Sequence, residues 1–501
     1  MNKREILYLS FIFLVVIFGG DSVNNKNENL IIIMSDEHQA KALGSVNHPF
    51  VKTPNLDKLA SNGINFTNAY TPCPICVPAR ASFATGLPVH KNRLWDNAMP
   101  YFGQLPSWGH MLQKIGVPVE SIGKLHYRAQ DDDDGFDQKH IPMMVYKGVG
   151  MVWGSIRREH ERKTRDQRML GKYIGPGTSN YTDYDEAVVS QTINWLENKS
   201  KDNNKKAWCL YIGLVAPHFP LVVPQEFYDM YPHEILPETK LNPRDGYIQH
   251  PWIKKQKELR NDENDFKNEE ERWAAIASYY GLCSFLDYNI GKIIDKVSEC
   301  GFLDNTTIIY TSDHGDNVGA RGLWGKSNMY EESSAIPLIV SNSKIKATRC
   351  DTPVSLLDLS ETIVDHFGAE SPNNGPGESL YDIAKNSFDE SRIIFSEYHA
   401  ASSVSGAYMI RKNKWKYIYY EGFEPELFDL ENDPEEINNL SKDPKFLNIL
   451  NELNRDLQNI CDPKETNELA FKDQDAMIER YGGIEEAKKL GANAATPPPK
   501  T

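Results

Sequence analysis

The sequence lacks the features of a disulfide-stapled, nucleic-acid-binding or multispanning membrane protein. Its seven cysteines follow no framework spacing, so disulfides are not expected to hold the fold. It has no excess of basic charge: the formal net charge is −15, which disfavours nucleic acid and anionic membranes as partners. No apolar run after the first 22 residues is long enough for a transmembrane helix, and there is no internal repeat.

What the sequence does contain is enough for one large domain with an appendage, or for two ordinary domains. Of its 501 residues, 40% are hydrophobic and 25% charged, which is typical of a folded globular protein. An acidic protein that handles an anionic substrate needs a local cationic pocket against its own field. A motif that points to an anionic substrate must therefore be accompanied by basic residues.

Residues 1–22 have the pattern of an export signal. Lys3 and Arg4 precede an apolar run of about 13 residues, Ile6 to Phe18, and small residues follow. The run is too short to span a bilayer comfortably, and an N-terminal membrane anchor is the alternative interpretation. We therefore expect an exported protein, periplasmic or secreted, with no integral membrane association once mature.

A short stretch of sequence places a sulfur atom at the start of a helix. Proline-rich turns precede Cys76, Pro78 suits the first helical turn, and Gly86 suits the C-terminal cap. The positive end of the helix dipole is expected to lower the pKa of the thiol, and Arg80, about one turn on, points back toward it. With Cys73 the thiol has the C-x-x-C spacing of a redox dithiol or of half a zinc site, although the other cysteines form no second pair. A buried, inert cysteine is the plain alternative.

Two continuous apolar segments are followed by acidic residues. The segments are residues 30–34 and 307–310, and the polar residues after them include Asp36, Glu37, Asp313 and His314. Continuous apolarity is typical of strands covered on both faces of a parallel sheet, and α/β proteins build their sites at the carboxyl edge of such sheets. Carboxylates from two strands can converge on one cation, with calcium, magnesium or manganese favoured. For either segment alone, a solvated turn is the alternative.

The order Cys76, Pro78 and Arg80, followed by Thr85 and Gly86, resembles the signature of the type I sulfatases in the alkaline phosphatase superfamily. The resemblance implies that a maturation enzyme oxidises Cys76 to formylglycine (3-oxoalanine). It also implies one divalent metal, usually Ca²⁺, held by Asp36, Glu37, Cys76, Asp313 and His314. Since His314 supplies nitrogen where the family commonly has asparagine, Mg²⁺ or Mn²⁺ is the alternative.

Further motifs resemble family elements in family order. They contain Lys124, His126, His218 and Lys326. The resemblance implies that Lys124, Lys326 and His218 bind the sulfate, that His218 also protonates the leaving alcohol, and that His126 takes a proton from the hydrated formylglycine. Arg80 would help to activate that hydrate, and Asn97 lies about where some relatives have a substrate-contacting asparagine. Taken singly, each lysine could be a solvated charge and each histidine a structural one.

The predicted fold is α/β, with a central, mostly parallel sheet flanked by helices at residues 28–375. A smaller α+β subdomain with an antiparallel sheet follows at 376–490, with short strands near residues 408–411, 415–420 and 426–430. Residues 491–501 are expected to be a disordered tail. The segment from about 139 to 184 is interpreted as an insertion that either shapes a rim for a polyanionic chain or, at residues 157–168, forms a solvated charged helix.

The resemblance implies hydrolysis of sulfate monoesters, and the export signal together with an aromatic and basic insertion suits a sulfated carbohydrate substrate, as in polysaccharide degradation. Two alternatives are open. One is a phosphodiester or phosphonate monoester hydrolase of the same superfamily, and the other is a catalytically inactive glycan-binding relative. The sugar, the position of the ester and exo or endo action do not follow from the sequence.

Overall fold

The structure, a computed structural model, describes residues 28–157, 169–203, 206–258, 262–491 and 495–499. The predicted export signal lies outside these ranges, as does nearly all of the predicted charged helix at 157–168. Within them, no helix combines the length and apolarity needed to cross a bilayer. All seven cysteines carry free thiols.

The strands fall into one large sheet, one small sheet and one short pair. In chain order they are β1 (Asn29–Asp36), β2 (Gly63–Tyr70), β3 (Val119–Lys124), β4 (Gln138–Met143), β5 (Ile174–Pro176), β6 (Cys209–Pro217), β7 (Leu221–Val223), β8 (Thr306–Ser312), β9 (Ala335–Ser341), β10 (Thr348–Cys350), β11 (Val354–Ser355), β12 (Ile393–Tyr398), β13 (Ala407–Lys412), β14 (Trp415–Tyr420) and β15 (Glu426–Asp429).

In the described part of the chain, nine of these strands form the main sheet. Its order is β10-β2-β9-β8-β1-β6-β3-β4, and β11 also pairs with β2. Strand β9 runs antiparallel to both neighbours, whereas the other pairs are parallel. Strands β12 to β15 form the antiparallel C-terminal sheet, and β5 pairs with β7. The predicted fold class is therefore confirmed.

The described part of the chain has fifteen α-helices, and members of this set cover both faces of the main sheet. They are α1 (Pro54–Ser61), α2 (Cys76–Thr85), α3 (Val89–Asn92), α4 (Trp108–Lys114), α5 (Met169–Lys172), α6 (Asn180–Ser200), α7 (Gln225–Tyr228), α8 (Pro251–Lys257), α9 (Glu269–Glu299), α10 (Glu331–Ser334), α11 (Leu356–Phe367), α12 (Leu380–Lys385), α13 (Leu447–Ile460), α14 (Pro463–Arg480) and α15 (Ile484–Ala487).

The central strand β1 shows why its sequence is apolar throughout. Successive side chains of a strand point to opposite faces: Ile31 and Ile33 pack with α1, α6 and α9, whereas Leu30 and Ile32 pack with α2, α4 and α11. All four are fully buried, and each such burial stabilises the fold by about 1.5–3 kcal/mol. The parallel neighbours β8, β1, β6 and β3 end at one edge, where the polar residues follow.

Four features differ from the sequence prediction. The predicted insertion contributes β4 to the main sheet and the first turn of α6, and β12 adds an unpredicted strand to the C-terminal sheet. Arg157 is 2% exposed, not solvated, because it donates to Gln474 and Ser403 and stacks on Phe471. Helix α12, placed by the sequence in the C-terminal subdomain, packs into the core of the main sheet.

A buried polar cluster joins the C-terminal sheet to the main domain. The Glu426 carboxylate, at the start of β15, accepts hydrogen bonds from the hydroxyls of Tyr420 (2.9 Å) and Tyr330 (3.1 Å). Nearby, Lys416 pairs with Glu436 at 2.8 Å. Burial raises the pKa of Glu426 to about 7, and the two tyrosine hydroxyls offset only part of that rise.

We expect Glu426→Gln to change how stability depends on pH. The folded-state pKa of Glu426 is raised from its ordinary 4.5 to about 7, so the wild type loses stability as pH rises through this range. At about 1.4 kcal/mol per pKa unit, the loss approaches roughly 3 kcal/mol. The free energy of unfolding is measured in urea at pH 5 and at pH 8. From pH 5 to pH 8, the stability of the variant relative to the wild type should rise by about 2–3 kcal/mol. Glu424→Gln, at an exposed position, is the control, and parallel pH profiles for Glu426→Gln and wild type would contradict the expectation.

Candidate active site

Four adjacent strands deliver the candidate residues to one edge of the main sheet. Asp36 ends β1, Asp313 follows β8, His218 follows β6, and Lys124 ends β3. Since these strands are neighbours in the order β8-β1-β6-β3, residues far apart in sequence become adjacent in space. This is the edge where parallel sheets form ligand sites.

Helix α2 brings the sulfur to this edge. Cys76 is its first residue, and Gly86, with φ of 69°, caps it by donating to the Ser82 carbonyl. The Sγ atom lies 3.6 Å from Asp36 Oδ1 and 3.2 Å from His314 Nε2. The predicted helix and the predicted convergence of the sulfur with the two strand ends are therefore observed.

The thiol does not have the lowered pKa that the helix dipole led us to expect. Burial, followed by the negative charge of Asp36, raises the pKa of Cys76 to about 12, and Lys326 offsets only part of this rise. Desolvation thus outweighs the dipole. Burial also raises the pKa of Cys73, so both sulfurs of the C-x-x-C pair remain protonated at neutral pH. That is unsuited to redox exchange, which requires a thiolate.

The guanidinium of Arg80 ties three strands together. Nε donates to Asp313 Oδ2 at 2.8 Å, Nη2 to Asp36 Oδ2 at 3.0 Å, and Nη1 to the Tyr211 hydroxyl at 2.9 Å. Arg80 is 1% exposed. Its bonds therefore fix the spacing of the two carboxylates from β1 and β8.

Four of the predicted ligands form one group that fits a metal ion. Oxygen, nitrogen and sulfur atoms of Asp36, Cys76, Asp313 and His314 all lie within 4.8 Å of one another, and all four residues are buried. Burial pushes the pKa of Asp36 up, but Lys124 and Arg80 hold it well below its ordinary value. The carboxylate of Asp36 is therefore ionised and ready to accept a cation.

Glu37, the fifth predicted ligand, falls in a second possible ligand group, and its role as a metal ligand stays a prediction. Its carboxylate accepts from Lys326 Nζ at 2.8 Å and lies 3.4 Å from His218 Nε2, so it groups with Asp36 and His218 and not with Cys76. The longer side chain is turned away by a backbone with φ of 72°, which the Tyr279 hydroxyl holds by donating to the Glu37 carbonyl. Burial raises the pKa of Glu37 to about 7.

The two lysines and two histidines complete the polar surface. Lys124 Nζ lies 2.6 Å from Asp36 Oδ2. Burial holds the pKa of both imidazoles well below the ordinary value. The nearby charge of Lys124 lowers the pKa of His126 further, and the charge of Lys326 does the same for His218, so both rings are neutral in the structure. His218 Nδ1 pairs with the Phe219 carbonyl at 2.5 Å. Each neutral ring can either give or take a proton, depending on its tautomer.

Asn97 lies beside the start of helix α2. Its Oδ1 accepts from the backbone N–H of Val77 at 3.2 Å, so the amide is positioned next to Cys76. It is half-buried. Its role toward substrate stays a prediction.

Three residues at the site were not predicted from the sequence. Tyr211, on β6, bonds Arg80, and Tyr181 places its ring 5.7 Å from that of His218. Thr496, in the predicted disordered tail, has its Oγ1 2.8 Å from His126 Nε2. A hydroxyl in an otherwise apolar strand was a signal for Tyr211, whereas nothing in the local sequence marked Thr496.

Comparisons with known proteins agree with this geometry. A family model described as Sulfatase matches residues 28–369, and one described as N-sulphoglucosamine sulphohydrolase, C-terminal, matches residues 319–463. The choline-sulfatase of Rhizobium meliloti (strain 1021) is 32% identical over 429 residues, 83% of this chain and 83% of that protein. Arylsulfatase K of Canis lupus familiaris is 28% identical over 473 residues, 86% of this chain and 82% of that protein.

Solved structures share the fold. The phosphonate monoester hydrolase of Agrobacterium radiobacter superposes with a TM-score of 0.71 at 20% identity, covering 86% of this chain and 95% of its own. A protein solved in complex with its substrate D-glucosamine-2-N,6-O-disulfate gives 0.67 at 22% identity, covering 89% and 99%. At these identities the likeness concerns the fold alone.

We expect Arg80→Lys to destabilise the protein by about 3–5 kcal/mol, because a single ammonium leaves buried carboxylates incompletely paired. Arg93→Lys is a matched control: Arg93 also makes a two-pronged pair, with Asp473, but its side chain is 52% exposed. The control should cost at most about 1 kcal/mol. Urea unfolding of both variants measures the difference, and equal costs would show that Arg80 does not hold the site together.

Proposed function

This chain belongs to the sulfatase family, a family of sulfuric ester hydrolases, and from that premise we propose that it removes sulfate from a sulfated carbohydrate. We further propose that formylglycine formed from Cys76 is the nucleophile and that one divalent metal assists it. The observation that carries the proposal is the convergence on Cys76 of two ionisable carboxylates and His314, with Lys124 and Lys326 alongside. The basic residues that an acidic chain needs beside an anionic ester are therefore present at this site.

Support for a carbohydrate comes from the relatives. The C-terminal part matches a model named for an N-sulphoglucosamine sulphohydrolase, and one solved neighbour has a disulfated glucosamine as its substrate. A sugar alkoxide is a poor leaving group, so the site needs a group that protonates it. His218 is placed for that role, with Nε2 3.4 Å from Glu37, and it would act in its protonated form. Burial and Lys326 keep its imidazole neutral in the structure, and the negative charge of a bound sulfate ester would favour uptake of the proton.

A metal fits the residues present. Asp36, Asp313, His314 and the residue at position 76 would hold it, since their ligand atoms already lie within 4.8 Å of one another. Oxygen-rich ligation favours Ca²⁺, and the imidazole leaves Mg²⁺ or Mn²⁺ as alternatives. When bound, the ion would supply positive charge where negative charge develops on the sulfate.

The chain's own residues then divide the remaining work. In the structure Lys124 pairs with Asp36 and Lys326 pairs with Glu37. When substrate binds, both ammonium groups would also interact with the sulfate oxygens and stabilise their negative charge in the transition state. His218 would donate a proton to the departing alcohol, and His126 would take one from the nucleophile's second hydroxyl so that sulfate is expelled. Arg80 would keep the carboxylates at a fixed spacing throughout.

Export through residues 1–22, and action in the periplasm or outside the cell, remain part of the proposal. A formylglycine-generating enzyme would be the required partner. A phosphodiester or phosphonate monoester hydrolase is the second candidate, since a phosphonate monoester hydrolase is among the fold neighbours. An inactive glycan-binding protein is the third, and it would leave Cys76 unmodified.

Sulfate release should depend on Cys76. Matured protein is assayed with aryl sulfate, aryl phosphodiester, choline sulfate and sulfated oligosaccharides, and sulfate and phosphate are measured in parallel. We expect Cys76→Ala to lower sulfate release at least about 1000-fold, because the nucleophile is lost. Cys73→Ala, which removes an equally buried sulfur three residues earlier, should keep activity within a few-fold.

The pattern of products decides between the candidates. Release of sulfate from the oligosaccharides supports the proposal. If choline sulfate is hydrolysed fastest, the proposed substrate changes from a carbohydrate to a small alkyl ester. Faster phosphodiester cleavage would move the assignment to the second candidate. Peptide mass spectrometry that found only the thiol at position 76 after co-expression with a maturation enzyme would support the third.

Metal binding should depend on Asp313. After chelation, calorimetric titration with Ca²⁺ or Mn²⁺ should show one site in the wild type and at least about 100-fold weaker binding in Asp313→Asn, because a charged ligand is lost. Asp351→Asn, exposed in the edge region of the main sheet, is the control. Added metal should also raise the melting temperature of the wild type but not that of Asp313→Asn. Equal affinities in both would remove Asp313 from the ligand set.

A further inference from the structure

Residues 495–499, the C-terminal strap, lie against the candidate histidines. Thr496 Oγ1 is 2.8 Å from His126 Nε2, and the Tyr181 hydroxyl donates to the Thr496 carbonyl at 2.6 Å. The Tyr181 ring in turn stands 5.7 Å from the His218 ring. One residue of the strap is therefore bonded to one histidine and to the neighbour of the other.

The chain is fixed in place shortly before the strap. Gly491, with φ of 101°, sits so close to the loop at residues 150–152 that a Cβ there would lie 2.4 Å from the Gly150 carbonyl oxygen and 2.9 Å from Met151 Cα. Met151 N–H in turn donates to the Asn97 carbonyl at 3.2 Å. Four residues before the strap, the chain therefore makes a close backbone contact with the loop that supports Asn97.

The composition of the strap makes it stiff. Its last three residues are Pro497, Pro498 and Pro499, and consecutive prolines favour an extended backbone that loses little entropy on ordering. Ala495 packs against the core cluster that contains Tyr181. A stiff segment held by Ala495 and by the hydroxyl and carbonyl groups of Thr496 is suited to form a lasting boundary.

The position of this boundary bears on which esters can enter. On the inner side, Cys76 is enclosed by Asp36, Arg80 and Asp313, all of them 1% exposed or less. His126 is more exposed than these three residues, with 6% of its surface accessible. A substrate therefore has to approach from the side where His126 and His218 lie. The strap occupies part of that side.

We propose that the strap is a wall of the active site: Thr496 holds the His126 imidazole in place, and the strap restricts the enzyme to sulfate groups on small molecules or at the end of a chain. This rests on the proposed function in that Cys76 marks the reacting centre. Thr496 acts through His126 and is a positioning residue. A sulfate in the interior of a polymer would need the space that the strap fills.

The first test compares one ester in two sizes. An aryl sulfate is presented free and coupled through its ring to dextran, and kcat and KM are measured for the full chain, a chain ending at residue 494, and Thr496→Val. We expect the full chain to prefer the free ester, and truncation to reduce that preference at least about tenfold. Gly491→Ala, which disturbs the entry to the strap without removing it, should reduce the preference in the same direction and replaces the truncation if that variant fails to fold.

The hydroxyl of Thr496 is tested separately. Thr496→Val keeps the shape and loses one hydrogen bond to His126, so kcat for the free ester should fall roughly 3- to 10-fold with KM little changed. Thr496→Ser restores the hydroxyl and should recover most of that loss. Equal kcat in Val, Ser and wild type would remove Thr496 as a positioning residue.

The second test needs no turnover. Diethyl pyrocarbonate modifies accessible imidazoles, and peptide mass spectrometry gives the rate at each histidine. His126 should react at least about fivefold faster in the truncated chain or in Gly491→Ala than in the full chain, because the strap shields it. His233, which is exposed, should react equally in all of them. An unchanged rate at His126, or an unchanged size preference, overturns the proposal.

The two tests also separate this inference from the proposed function. Faster labelling of His126 in the truncated chain, with no release of sulfate from any ester by any variant, would contradict the proposed function and leave the shielding of His126 standing. Sulfate release together with an identical labelling rate of His126 in every variant would support the proposed function and contradict the inference about the strap.

Discussion

The site depends on one buried guanidinium. Arg80 bonds a carboxylate from β1, a carboxylate from β8 and a tyrosine hydroxyl from β6, and so links three neighbouring strands at the edge where the chemistry lies. Two carboxylates this close repel each other and lose their hydration when buried. A planar cation with donors in fixed directions is the group that can satisfy both.

The same low-dielectric surroundings assign each group its protonation state. Asp36 stays ionised because the permanent positive charges of Lys124 and Arg80 face it, whereas Cys76 is held protonated and both histidines neutral mainly by burial. Glu37 lies between these cases, with a pKa of about 7. The positive side chains of the site are therefore largely paired with its carboxylates. A divalent cation and an anionic ester that bound together would each neutralise the charge that the other adds.

Much of the fold and of the site could be predicted, since it follows from local patterns. Apolar runs that end in Asp36 and Asp313 mark buried parallel strands, and proline and glycine around Cys76 mark a helix. What failed depends on surroundings that no local pattern records. The helix dipole predicts a reactive thiol, but the depth at which Cys76 is buried decides its pKa. Thr496 contacts His126 across 370 residues of sequence, and Gly491 lies against a loop more than 300 residues earlier in the chain; no local pattern marks either contact.

The burial of Cys76 sets a time limit on any enzyme that modifies it. At 1% exposure, its sulfur is out of reach once β8 has docked beside β1, and β8 is complete only at Ser312. About 240 residues separate the two positions, and synthesis at about 5–20 residues per second takes about 10–50 s to cover them. Oxidation of this cysteine would therefore have to compete with translation and folding, and its yield would depend on how slowly the chain closes.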